Sequence, residues 1–204
     1  MRMTRELGIL ALLPLAVALQ AERGSVPGTR TAIFAGGCFW GVEWVFEHVR
    51  GVRSVVSGYT GGSVPSPTYD AVGSGRTGHV EAVEIVYDPD QISYRQLLEV
   101  FFTVVHDPTS RDRQGPDEGP EYRAVVFYLD QGQRQAVQSY LAELTRSKRF
   151  ADPIVTEVRE AGPFYRAEGY HQDYAARHPD APYIAYNDAP KISQLRRAFP
   201  TLFR

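Results

Sequence analysis

The stretch TAIFAGGCFWGVEWVFEHVR, residues 31–50, constrains the fold more than any other part of the chain. Its first half is an apolar run that stops at two glycines. Its second half places Phe39, Val42, Phe46 and Val49 at helical spacing. A strand therefore hands over to a helix through a glycine turn, and the same alternation continues downstream. VRSVVSGY and HVEAVEIVY read as strands, the second rich in β-branched side chains. Ser93 and Gln96 form a capping-box pattern ahead of the apolar helix LLEVFFTVV. YRAVVFYL is a fourth strand, QRQAVQSYLAELTRSKRF a long amphipathic helix, PIVTEVREA a fifth strand and AEGYHQDYAARH a last short helix. Strands interleaved with helices predict a sheet with helices packed on it, α+β or mixed α/β.

The chain has 204 residues, 43% of them hydrophobic and 23% charged, which suits one domain with a substantial core. A net charge of −2 gives no electrostatic footprint for nucleic acid or an anionic membrane. The first residues differ in kind. MRMTRE is basic, LGILALLPLAVAL is uncharged and apolar, and small residues follow. That order describes a secretory signal peptide over residues 1–21, with 22–30 as a short linker. Export to a periplasmic or extracellular, oxidising space is the expectation. The alternative is a retained anchor, although the run is short for a bilayer span.

Residues 57–78, rich in glycine and proline, and residues 107–121, almost without apolar side chains, read as long functional loops. GSGRTG at residues 73–78 fits the dinucleotide-binding letters G-x-G-x-x-G. Its context is reversed, however, with a loop before it and a strand after it, so the match is accidental.

Cys38 is the sole cysteine of the chain. The glycine turn puts it at the first turn of a helix, where unpaired backbone N–H groups favour negative charge and hence thiolate. Phe39 and Trp40 supply an apolar wall that suits a methyl or thioether group. The competing reading is a buried, inert thiol. Period-two alternation puts Glu81 on the face of Val83 and Ile85, where lost solvation would raise its pKa and make it an acid near neutrality. Alternatively, it is a strand-end carboxylate reaching water. Tyr69 and Tyr122 flank the two loops with phenols able to donate, and Asp117 lies in the second loop. His79 or His106 could approach Cys38, which leaves a Cys–His acyl transferase or peptidase open. His171, Asp173 and His178 could be drawn as a metal cluster, but no other pair has recognisable ligand spacing, and no metal is expected.

GGCFWG, GYTGG, SPTYD, SGRTGHVEAVEIVYDP, ISYRQLLEVFF, HDPT, RQGPDEGPEYR and AEGYHQDY occur in an order that resembles the A-type peptide methionine-sulfoxide reductases over about residues 31–178. The resemblance implies a two-layer α+β sandwich with a mixed sheet covered by helices. It also implies reduction of the S epimer of methionine sulfoxide, free or in proteins, as repair after oxidation. Cys38 matches the nucleophile, Glu81 the acid that protonates the sulfoxide oxygen, and Tyr69 and Tyr122 the phenols that bind it. Phe39 and Trp40 match the methyl pocket, and Asp117 a carboxylate near the substrate main chain.

The resemblance calls for no metal or organic cofactor and no nucleic acid, and the chain is taken as a monomer. It departs from many family members in lacking resolving cysteines. Gly73 stands at one such position, and residues 179–204, read as an irregular tail, hold no sulfur. HDPTS also stands where HDPTQ is more usual, a minor change. A sulfenic acid on Cys38 would thus be resolved by an external thiol: a thioredoxin- or glutaredoxin-like protein, or glutathione. A non-catalytic binder of methionine-containing peptides is the remaining alternative.

Overall fold

A computed structural model describes residues 28–204 of the chain. The expected signal peptide and most of the linker lie outside the described residues. Strand β1, Arg30–Ala35, runs into the glycine turn and helix α1, Phe39–Glu47, as the opening stretch requires. Gly37 adopts φ +92, and a Cβ there would come within 2.7 Å of Gln114, so both backbone sign and crowding demand glycine. Strand β2 is Val52–Thr60, helix α2 Tyr69–Gly73 and strand β3 Val80–Tyr87.

Helix α3, Tyr94–Val100, starts with the capping box, in which both reciprocal Ser93 and Gln96 bonds are present. It widens into a π-helical turn over Phe101–Val105. Two short strands follow, β4 at Arg113–Gln114 and β5 at Asp117–Glu118, paired as a hairpin. Then come β6 (Val125–Tyr128), α4 (Gln131–Ser147), β7 (Glu157–Glu160), β8 (Tyr165–Arg166), α5 (Tyr174–Arg177) and α6 (Ala189–Ala198). No described helix is long and apolar enough to cross a membrane.

The main sheet has the order β7-β6-β1-β3-β2-β8. Only β6 and β7 are parallel, joined by the crossover helix α4 as a parallel pair requires. The sheet is therefore mixed and the α+β expectation holds. Its two faces are unequal. Phe34, Val83, Ile85 and Val126 pack under α1, α3, α4 and α6 in the main core, whereas Ile33, Ala35, Val80, Ala82, Val125 and Phe127 form a small second cluster with Ala161 and Phe164.

Three sequence expectations are corrected. The tail 179–204 is not irregular. It carries a π-helical turn at Ile184–Asp188 and then α6, with Pro190 in the first turn, where its missing N–H costs nothing. Leu195 is fully buried, and the end of the chain is tied to α1, with Arg50 N–H donating to Leu202 O and Arg204 N–H to His48 O. The helix expected over AEGYHQDYAARH shrinks to Tyr174–Arg177. Residues 167–173 instead form a coil and turns that follow β8 on the edge of the sheet. Finally, both long loops contain structure: α2 is capped by Thr68, whose side chain accepts from Ala71 N–H, and β4–β5 is a hairpin.

Candidate active site

Cys38 is the N-cap residue of α1, partly buried, at the junction of sheet and helix. The backbone N–H of Trp40 points at its sulfur and favours the anion, as the sequence argument anticipated. The anticipated thiolate is nevertheless overturned. Burial comes first, followed by the negative charges of Glu81, Asp188 and Asp117, and together they hold the thiol well above its ordinary range. One N–H group does not offset desolvation and three nearby carboxylates.

Glu81 sits in the middle of this arrangement. On β3 it shares the face of Val83 and Ile85 and lies opposite Tyr59 of β2, so its side chain enters the main core and is 3% exposed. Its Oε2 accepts the backbone N–H of Phe39 at 2.9 Å. Burial, with further contributions from the charges of Asp117 and Glu121, pushes its pKa up to about 8, while the Phe39 N–H and the Cys38 thiol pull the other way. The reading of Glu81 as a solvated strand-end carboxylate therefore fails. At neutral pH the site holds a protonated carboxyl against a protonated thiol.

Tyr69 opens α2, and its backbone N–H donates to Glu168 Oε1 at 3.0 Å, which fixes the start of that helix. Tyr122 ends the 3-10 turn Pro120–Tyr122. Burial first, then the charges of Glu81 and Cys38, push Tyr69 up to about 12 and raise Tyr122 as well, so both phenols keep their protons as donors. The structure thus brings both loop tyrosines to the Cys38–Glu81 pair. Asp117, on β5, accepts the Tyr183 hydroxyl at 2.5 Å, and burial raises its pKa.

Adjacent in sequence, Phe39 and Trp40 part company in space. Phe39 is fully buried, with ring centroids 5.8 Å from Tyr59 and 5.0 Å from His171, and serves as floor rather than wall. Trp40 remains partly exposed. It stacks on Tyr174 at 3.9 Å, meets the edge of Tyr183 at 5.9 Å and donates its indole N–H to His171 Nδ1 at 3.1 Å. Because Nδ1 accepts, His171 carries its proton on Nε2, which faces Glu168 at 4.0 Å. The sequence pattern offers His171 only as part of a possible metal cluster and gives no role to Tyr174 or Tyr183. The only available signal was the aromatic density of YHQDY, and Tyr183 fell in the tail taken as irregular.

The two histidines weighed as partners of Cys38 are both occupied. His79 is bound through both ring nitrogens, to Gly62 N–H at 3.2 Å and Val64 O at 2.7 Å. His106 bonds Phe101 O and Thr156 Oγ1, each at 3.0 Å. Neither presents a free nitrogen to Cys38, which removes the support for Cys–His acyl transfer. Among the described residues no group of three His, Cys, Asp or Glu side chains converges to hold a metal ion. The arrangement unites a sulfur nucleophile, a neutral carboxylic acid, two phenol donors and an indole wall. It suits attack on a polarised, oxygen-bearing centre whose oxygen must be protonated as its bond breaks.

Comparison with known proteins agrees with this geometry. The family model described as "Peptide methionine sulfoxide reductase" matches residues 30–202. The chain is 51% identical over 182 residues to "Peptide methionine sulfoxide reductase MsrA 2" of Mesorhizobium japonicum, covering 89% of this chain and 93% of that protein. It is 49% identical over 173 residues to MsrA of Thermus thermophilus, covering 85% and 97%. Among solved structures it is similar to Mxr1 of Saccharomyces cerevisiae in reduced form, with TM-score 0.70 and 30% identity over 76% of this chain and 88% of that one. It is also similar to methionine sulfoxide reductase A of Corynebacterium diphtheriae, with TM-score 0.67 and 36% identity over 76% and 78%.

Proposed function

Because the chain belongs to the A-type peptide methionine sulfoxide reductase family, we propose that Cys38 and Glu81 carry out the reduction of methionine S-sulfoxide to methionine as one proton-coupled pair. The observation that carries this reading is the tether between them: buried Glu81 accepts the N–H of Phe39, the residue after Cys38, at 2.9 Å, and burial pushes its pKa up to about 8. A sulfoxide oxygen leaves only as it gains a proton. Glu81 delivers its proton to that oxygen and takes up the proton of the neighbouring Cys38 thiol, so sulfur becomes nucleophilic only when an acceptor oxygen is present. The phenols of Tyr69 and Tyr122 donate to the same oxygen, and Trp40 shelters the methyl group. Asp117, held by Tyr183, faces the substrate main chain. Methionine departs, and the oxygen remains on Cys38 as a sulfenic acid.

With no second cysteine in the sequence, that sulfenic acid is returned to thiol by an external thiol reductant. The basic start and apolar run of residues 1–21 support export of the chain, and we take it to act as a monomer. Mass spectrometry of the mature N-terminus and light scattering check these two points.

The decisive experiment mixes reduced protein with each methionine sulfoxide epimer in the absence of any thiol. One equivalent of methionine from the S epimer alone, with one oxygen added to Cys38, is the expected result. No methionine and an unmodified Cys38 would overturn the reading.

A further inference from the structure

A cavity of about 350 Å³ reaches Cys38 without being lined by Glu81, Tyr69, Tyr122 or Trp40. Its walls come from the π-helical turn after α3, the loop from His106 to Asp117, and the tail, which contributes Tyr183, Asn187, Lys191 and Gln194. Its lining therefore differs from the groups that hold the sulfoxide oxygen, although it shares Cys38, Asp117 and Tyr183 with that site. Lys191 lies in this wall, three-quarters buried, its Nζ 3.0 Å from Oδ1 of the fully buried Asp188. Asp188 in turn is seated against α1 because residue 41 is glycine: a Cβ there would lie 1.9 Å from Oδ1. Lys191 is thus held in place by a fixed counter-charge rather than swinging in solvent. Two carboxylates share the cavity, Asp107, which caps Thr109, and Asp117, bonded to Tyr183.

We propose that this cavity is the entry site of the resolving thiol, and that it takes a small amino-acid thiol, cysteine or a short cysteinyl peptide, whose carboxylate pairs with Lys191. The inference rests on the reductase reading for the origin of the sulfenic acid, and the chemistry of the next step supports it. A thiolate displaces the oxygen of a sulfenic acid by attack in line with the S–O bond. That oxygen is deposited on the side of Glu81 and the tyrosines, so the attacking sulfur must arrive from elsewhere. The new bond joins Cys38 Sγ to the incoming sulfur while the S–O bond breaks. The hydroxide takes the proton of the incoming thiol and leaves as water. A second thiol molecule then reduces the mixed disulfide, restoring the Cys38 thiol and releasing the small-molecule disulfide. An ammonium group on the same molecule is matched by Asp107 and Asp117.

The test uses the full chain, with the Cys38 sulfenic acid generated by stoichiometric hydrogen peroxide, so that it does not depend on sulfoxide turnover. The rate of sulfenic acid loss is measured with 3-mercaptopropionate and with its amide, each corrected for thiolate fraction, and the ratio is formed within each protein. The carboxylate is expected to react about tenfold faster in the native chain, the scale of one charge-assisted hydrogen bond. In Lys191→Gln the ratio falls to about one or below it, and Lys191→Arg recovers most of it. A ratio near one in the native chain, or one that Lys191→Gln leaves unchanged, overturns the inference. So does a Lys191→Gln variant with an intact thiol ratio and a raised KM for methionine sulfoxide, which would assign the cavity to substrate main chain. Failure to release methionine in the epimer experiment would instead sink the reductase reading and leave these ratios standing.

Discussion

The carboxylate of Glu81 accepts the backbone N–H of Phe39 at 2.9 Å, so the acid of the site is tethered to the first residue of the helix that Cys38 caps. Nucleophile and acid thus move as one unit although they come from different elements. Glu81→Gln keeps an acceptor for that N–H and removes the transferable proton. Methionine release in a single turnover should slow by about 10²- to 10⁴-fold with the folded state intact by circular dichroism. A rate within a few-fold of native would mean that another group supplies the proton.

The alkaline limb follows from the same residue. Glu81 is raised to about 8 by burial, so its acid form is lost as pH rises through that value, and the single-turnover rate should fall there. Stability moves in the same direction. The folded chain holds a proton that the unfolded chain releases at its ordinary carboxylate pKa. The contribution is therefore complete below that ordinary value and disappears as pH rises to about 8. Urea unfolding of native and Glu81→Gln chains from pH 5 to 9 checks the sign, because the variant should lack this part of the slope.

Cys38 should behave as a reluctant thiol. Burial and the charges of Asp188 and Asp117, joined by that of Glu81 once it ionises above about pH 8, keep it protonated, so its alkylation by iodoacetamide should have a midpoint above the ordinary thiol range. Glu81→Gln removes one of those charges and should move the midpoint downwards. Rapid alkylation of the native thiol at pH 6 would contradict this account.

Gly41→Ala separates two opposing effects. Replacing a helical glycine with alanine ordinarily stabilises by about 1 kcal/mol. Here the new methyl would lie 1.9 Å from Asp188 Oδ1 and 3.0 Å from Lys191 Nζ, and overpacking of this kind costs about 1–3 kcal/mol. The melting temperature should therefore fall. A rise would show that α6 moves away from α1 without penalty.

His106 governs the acid side. Its Nδ1 faces the Phe101 carbonyl and so carries the proton, which leaves Nε2 to accept the Thr156 hydroxyl. Burial lowers its pKa to about 4, below the unfolded value. The unfolded chain thus binds the extra proton first, and stability is lost as pH falls from about 6.5 towards 4, by roughly 3 kcal/mol at most. His106→Asn should flatten that limb in urea titrations, and an unchanged slope would assign it to another group.

Local pattern was enough to locate the strand–glycine–helix unit, because both its periodicities and its turn residues lie within one continuous stretch. It also put Glu81 on the buried face, since alternation along a strand is a local property and β3 keeps it. The capping box at Ser93 and Gln96 was equally legible. The pairing of Trp40 with His171, 131 residues apart, and of Asp117 with Tyr183, 66 residues apart, was not. Such contacts depend on how helices dock on the sheet, and no spacing in a single sequence encodes that docking. The tail was misread for the same reason: its helix is anchored by the burial of Leu195 and by bonds to residues 48 and 50 rather than by local signals.

The state of Cys38 shows the division most directly. By itself the sequence determined that the chain's sole thiol would cap a helix, where unpaired N–H groups favour the anion. Only the tertiary structure decided that the thiol stays protonated, because folding withdraws it from water and gathers Glu81, Asp117 and Asp188 around it. Desolvation and like charge at close range outweigh the field of one helix turn.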